Sequence, residues 1–104
     1  MTLPDLLEEL KQVDPETYRK WFNDYDVLGL DQWQLDSLQD CIQRACERRG
    51  WPLVLSFDCN PDHQKTWVAK ICDGWTLLGL SAGHASPAEA LLAAYVAAIK
   101  EATR

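Results

Sequence analysis

Nowhere in the 104 residues is there an apolar run of the roughly 18 residues that a membrane-spanning helix requires. The opening residues also lack the basic leader and apolar stretch of a secretion signal, because Met1 to Leu10 already carries Asp5, Glu8 and Glu9. A cytoplasmic protein that does not engage membrane is expected. Missing too are Gly-x-Ser-x-Gly, Cys-x-x-Cys, His-Glu-x-x-His and a phosphate-cradling glycine loop, so hydrolytic, redox and nucleotide chemistry have no motif to rest on. The expectation is a non-enzymatic protein without a cofactor. No internal repeat, low-complexity tract or flexible linker interrupts the chain, which reads as one domain.

Positive charge is the scarcest commodity. Ten Lys and Arg face sixteen Asp and Glu, for a net charge of −6. Residues 1–50 hold most of the imbalance, with eleven acids against six bases. Affinity for a nucleic-acid backbone comes mainly from Lys and Arg that neutralise phosphates, so this balance disfavours nucleic acid and favours a basic protein surface as partner.

What is present is enough for a core: 47% of residues are hydrophobic and 10% aromatic. Leu3, Leu6, Leu7, Leu10 and Val13 recur at helical spacing and predict an amphipathic helix over 3–12. Asp14-Pro15-Glu16 is a fresh cap with proline at the first helical position, opening a helix to about Asn23; two helices and one kinked helix are both compatible with this. From Asp31, the positions Leu35, Leu38, Ile42, Ala45 and Cys46 mark a third helix that Gly50 stops.

Trp51 to Cys59 alternates apolar Leu53, Leu55, Phe57 and Cys59 with a mixed set, as a strand covered on one side does. Trp67, Ala69 and Ile71 alternate likewise in a second strand. Asp73-Gly74 is a two-residue hairpin signal, so a third strand is expected from Trp75 to about Ser81. Ser86-Pro87-Ala88-Glu89 has the form of a capping box, and opens a last helix with the stripe Leu91, Leu92, Tyr95, Val96, Ile99 and Ala102. The fold class is therefore α+β: a three-stranded antiparallel sheet with helices on one face, an αβββα core over 31–104. One or two extra N-terminal helices over 1–30 precede it.

The loop Asn60-Pro61-Asp62-His63-Gln64-Lys65-Thr66 resembles the Gly-Pro-x-His-x-Lys loop of double-stranded-RNA-binding domains, which share the αβββα order. That resemblance implies that His63 and Lys65 would contact RNA, the histidine in the minor groove, with a lysine cluster opening the last helix on the major-groove phosphates. Here Ser86-Pro87-Ala88-Glu89-Ala90 stands in place of those lysines. The chain also resembles small phage and prophage αβα-sandwich proteins. The likeness rests on its aromatic-rich strands, on Trp67-Val68-Ala69-Lys70-Ile71 and on Ala85-Ser86-Pro87-Ala88-Glu89-Ala90-Leu91. This second resemblance implies a phage-type accessory protein acting in a bacterial host by binding a host or phage protein. Inhibition of a nucleic-acid-handling or defence complex is its most specific form.

Four further features bear on sites. Glu8, Glu9, Glu16, Asp24 and Asp26 put an acidic face on the first two helices, and Trp33, off the Leu35 and Leu38 stripe, is a candidate anchor for a protein partner. Trp51, Trp67 and Trp75 can be absorbed by the core. Cys59, His63, Cys72 and His84 are the conceivable metal ligands, but their spacings lack the tight knuckle of structural zinc sites, and no metal is expected. A metal-binding protein stays the third reading after protein binding and duplex RNA. The four cysteines, Cys41, Cys46, Cys59 and Cys72, are expected as free thiols, and a homodimer through a strand edge or the N-terminal helices is a further possibility.

Overall fold

The computed structural model of the chain describes residues 3–22, 32–59 and 65–103. Four helices and three strands follow in the order α1 (Leu3–Val13), α2 (Pro15–Phe22), α3 (Gln32–Arg49), β1 (Leu53–Cys59), β2 (Lys65–Asp73), β3 (Thr76–His84) and α4 (Pro87–Ala102). The sheet is antiparallel in the order β1-β2-β3, giving the α+β architecture that the periodicities predict. The kinked-helix alternative gives way to two helices that break at Asp14. No helix among the described residues is long and apolar enough to cross a membrane.

The middle of the molecule is α4. It packs on β2 and β3, while α1 and α3 pack on its opposite side and α2 joins α1 to α3. Ala88, Ala90, Ala94 and Ala98 are as buried as Leu91, Leu92, Tyr95 and Ile99, whereas Ala102, expected in the apolar stripe, is exposed. A helix that is apolar all round is one buried on every side, and small side chains let its neighbours approach closely. Gly79 of β3 shows how closely: a Cβ there would overlap the backbone carbonyl oxygen of Ala94. Next to it, the Ser81 hydroxyl donates to the Ala90 carbonyl.

Two local expectations change. The β2–β3 turn is Gly74-Trp75, not Asp73-Gly74, because Asp73 pairs with Thr76 and so belongs to the ladder. Gly74 has φ of 59° and supplies the positive φ that a turn with glycine first requires. Trp75 is thereby moved from the start of β3 to the hairpin tip. One extra residue on β3, Leu78, lies between the pairs Ile71–Gly79 and Cys72–Leu77 and shifts the inward and outward alternation of β3 by one position. A second irregularity lies between Trp67–His84 and Ala69–Ser81, where Gly83 has φ of 80°.

The second change concerns the capping box. Ser86 has the extended backbone of an N-cap, but its hydroxyl makes no cap hydrogen bond, and its buried oxygen has no partner among the described residues. Glu89, the expected reciprocal partner, lies instead 3.6 Å from Nδ1 of His84. Ser86→Ala should therefore cost less than about 0.5 kcal/mol, against about 1 kcal/mol for a working cap, and thermal melting of the variant checks this.

Candidate protein-binding surface

One face of the sheet carries α4, and among the described residues no helix or strand packs on the other. Along β1 the outward residues begin with Val54, which pairs with Lys70, and Lys70 pairs in turn with Leu80 of β3. One step towards the hairpin, Cys72 pairs with Leu77. Val54 is 58% exposed and Leu80 53%, and Leu77 is open to a similar degree. A solvated sheet face ordinarily reads polar; this one presents three large aliphatic side chains around a single lysine, whose stem is itself apolar.

At the end of that face stands Trp75, fully exposed at 104%. Its position follows from the one-residue displacement of the turn: a ladder position would have laid the indole against the sheet. Of the other described tryptophans, Trp21 and Trp51 are buried and Trp67 is half-buried against the core. Phe57 is the fifth exposed large hydrophobe. It sits on the helix-facing side, its ring 5.1 Å from that of its ladder partner Trp67, at the strand end that α4 leaves thinly covered.

The residues singled out from the sequence are placed differently. Glu8 is exposed on α1, but Glu9 turns to α4, where a carboxylate oxygen accepts from Lys100 Nζ at 2.9 Å. Glu16 is engaged one turn along α2 by Lys20 at 3.4 Å. Glu9 and Glu16 thus have different cationic partners on different elements. Asp24 and Asp26 lie outside the described residues, and Trp33 falls in the first turn of α3 with its side chain outside them. Of the loop that resembles the RNA-binding family, His63 is outside the described residues, and Lys65 is known only as the first residue of β2.

Among the described residues no group of three or more His, Cys, Asp and Glu is placed to hold a metal. Cys72 and His84 lie at opposite ends of the β2–β3 ladder, since His84 pairs with Trp67 and Cys72 with Leu77; five strand residues separate their levels by roughly 17 Å. Cys59 and His63 fall outside the described side chains. Ser86 and His84, a hydroxyl and an imidazole two residues apart, form no hydrogen bond and so make no nucleophile and base pair. Cys41, Cys46 and Cys72 are in no disulfide; burial pushes the Cys46 thiol up to about 11, which leaves it un-ionised and inert at neutral pH.

The sequence did not single out a buried polar cluster that fastens the N-terminal helices to the core. The Asp14 carboxylate accepts from the Thr17 amide at 3.3 Å, the Thr17 hydroxyl at 2.7 Å and the Tyr95 hydroxyl of α4 at 2.5 Å, with Arg49 of α3 at 3.7 Å. Arg49 also donates to the Tyr95 oxygen at 3.2 Å and lies over the Trp51 ring at 5.1 Å. Burial alone would raise the Asp14 carboxyl, but the hydrogen bonds from Tyr95 and Thr17 and the Arg49 charge outweigh it and hold the group below its ordinary value. Satisfied in this way, the cluster is structural rather than poised for chemistry. No family model, curated protein or solved structure was found to match the chain.

Proposed function

We propose that the chain is a non-enzymatic accessory protein that binds another protein through the outer face of its sheet, with Trp75 as the anchor. The observation that carries this reading is the complete exposure of an indole at the end of a face where Val54, Leu77 and Leu80 are also open. Contiguous exposed apolar surface marks interaction sites, and tryptophan is the residue most enriched at interface hot spots. The net charge of −6 supports a basic partner surface, steered to the acidic chain before the apolar face docks. That charge also supports the narrower version, an acidic phage-type protein in a bacterial cytoplasm occupying a basic groove of a host nucleic-acid-handling or defence complex. Glu8, exposed on α1, would serve in that steering.

The test is affinity capture from a bacterial lysate with the wild-type chain and with Trp75→Ala and Leu80→Ser. Both positions are exposed, so the variants should fold normally. The partner captured by the wild type is expected to fall at least about thirtyfold in affinity with Trp75→Ala, the effect of losing a hot spot of roughly 2 kcal/mol. A partner retained equally by all three proteins would remove the outer face from the account. A gel shift with generic duplex RNA at low salt should show no complex, and tight binding lost with His63→Ala and Lys65→Ala would replace this reading with the RNA-binding one.

A further inference from the structure

The two edges of the sheet are built differently. β3 carries both register irregularities, at Leu78 and next to Gly83, which are the devices that blunt an edge against pairing. β1 carries none: all seven of its residues, Leu53 to Cys59, are in unbroken register with β2, and it has neither lysine nor proline. Its helix-facing side is also incompletely covered, because α4 lies on β2 and β3. Leu53 and Leu55 are only half-buried there, and Phe57 is 50% exposed although it points to the side where the core lies. Beside the edge, between β1 and α3, runs a groove of about 330 Å³ whose lining includes Cys46, Trp51 and Leu53. A regular edge, half-buried inward leucines and an adjoining groove together describe a place for one more strand.

We infer that this strand is β1 of a second copy of the chain, paired antiparallel about a two-fold axis at Ser56. Placing the axis at Ser56 sets every cross-strand pair. Leu55 of each copy lies opposite Phe57 of the other, so the half-covered inward residues cover one another, and position 54 lies opposite position 58. Asp58 is the one charged residue of β1. In this register position 58 of one copy is level with position 54 of the other, so the two acidic positions do not coincide across the axis. The product is a continuous six-stranded sheet whose outer faces, with Trp75 and Leu80, stay open. The dimer is thus independent of the binding reading above and compatible with it.

Sedimentation velocity over a range of concentrations gives the first result: the wild type should sediment with twice the 11.8 kDa monomer mass. Two exposed substitutions at one position then test the register. Val54→Glu puts a second acid opposite Asp58 twice per dimer and should weaken association about tenfold or more; Val54→Lys puts a base there and should leave it unchanged or tighter. Thermal melts of both variants confirm that the monomer fold is kept. A wild type that stays monomeric at the highest concentration overturns the dimer, and a dimer that both substitutions affect alike overturns the β1 pairing. Loss of partner capture by Trp75→Ala, with the sedimentation unchanged, would separate the two surfaces.

Discussion

Gly79→Ala is expected to lower the melting temperature by about 15 °C, the largest effect of a methyl added at any of the described glycines. The added Cβ overlaps the Ala94 carbonyl oxygen and also meets Ala94 C and Ala98 N, all of them backbone of α4, so no side chain can rotate out of its way. Either β3 or α4 must withdraw, and α4 is the element on which the sheet, α1 and α3 all pack. Overpacking of this kind costs about 3 kcal/mol or more, a large share of the stability of a small domain. Gly50 is the control. It has open space around it but φ of 71°, so Gly50→Ala should cost only about 1 kcal/mol, from backbone strain alone. Thermal unfolding by circular dichroism separates the two; equal losses would mean that α4 does not lie as close to β3 as the glycine implies.

The second large effect belongs to Tyr95. Tyr95→Phe removes the hydroxyl that donates to Asp14 across 81 residues of chain, and leaves a buried carboxylate one charge-assisted hydrogen bond short. A loss of about 2 kcal/mol is expected, with α1 and α2 loosening first, because Asp14 sits at their junction. The pH dependence has a definite sign. The Asp14 carboxyl is held below its ordinary value of 3.8, so its contribution is present above that pH and disappears as the pH falls through the lower folded value. At the other extreme burial, followed by the hydrogen bond to Asp14, pushes the Tyr95 phenol from 10.0 up to about 12. Its contribution is therefore intact below pH 10 and lost as the pH rises from there towards 12. Urea unfolding at about pH 3, 7 and 11 should show the variant losing less than the wild type does on the alkaline side. Parallel curves would mean that the phenol is not the buried donor.

Much of the fold could be read from the sequence because the signals were local. The spacing of Leu38, Ile42, Ala45 and Cys46, the alternation through Trp67, Ala69 and Ile71, and proline after Asp14 and after Ser86 each act within a few residues. Where the reading failed, two local rules were equally satisfied or the deciding contact was distant. Asp73-Gly74 and Gly74-Trp75 both give glycine a position of positive φ, and moving a two-residue turn by one residue shifts the pairing by two and leaves the phase of β3 unchanged, so alternation alone could not choose between them. The choice matters, since it moves Trp75 from the sheet to the tip. Ser86 and Glu89 have the capping-box spacing, but His84, two residues upstream, competes for the glutamate. The all-round burial of α4 had a visible sign: from Pro87 to Ile99 only Glu89 carries a charge. The union of Asp14, Arg49 and Tyr95 had none, because the junction of α1 and α2 and two helices far along the chain supply it.

The candidate surface was less legible than the fold for the same reason. An acidic face was read across the first two helices, but a salt bridge to Lys100 draws Glu9 towards α4 and one to Lys20 holds Glu16 along α2. The apolar outer face depends on strand register, which sets Val54, Lys70 and Leu80 in one row. A sequence pattern predicts that strands alternate; it does not say which face the helices will take.

Site-specific photo-crosslinking shows whether a partner docks at Trp75. A photoreactive residue in place of Trp75, and in a second protein in place of exposed Lys11 on α1, is irradiated in a bacterial lysate, and the adducts are identified by mass. The account predicts one protein joined through position 75 and not through position 11. Adducts that form equally at both positions, or at position 11 alone, would contradict it.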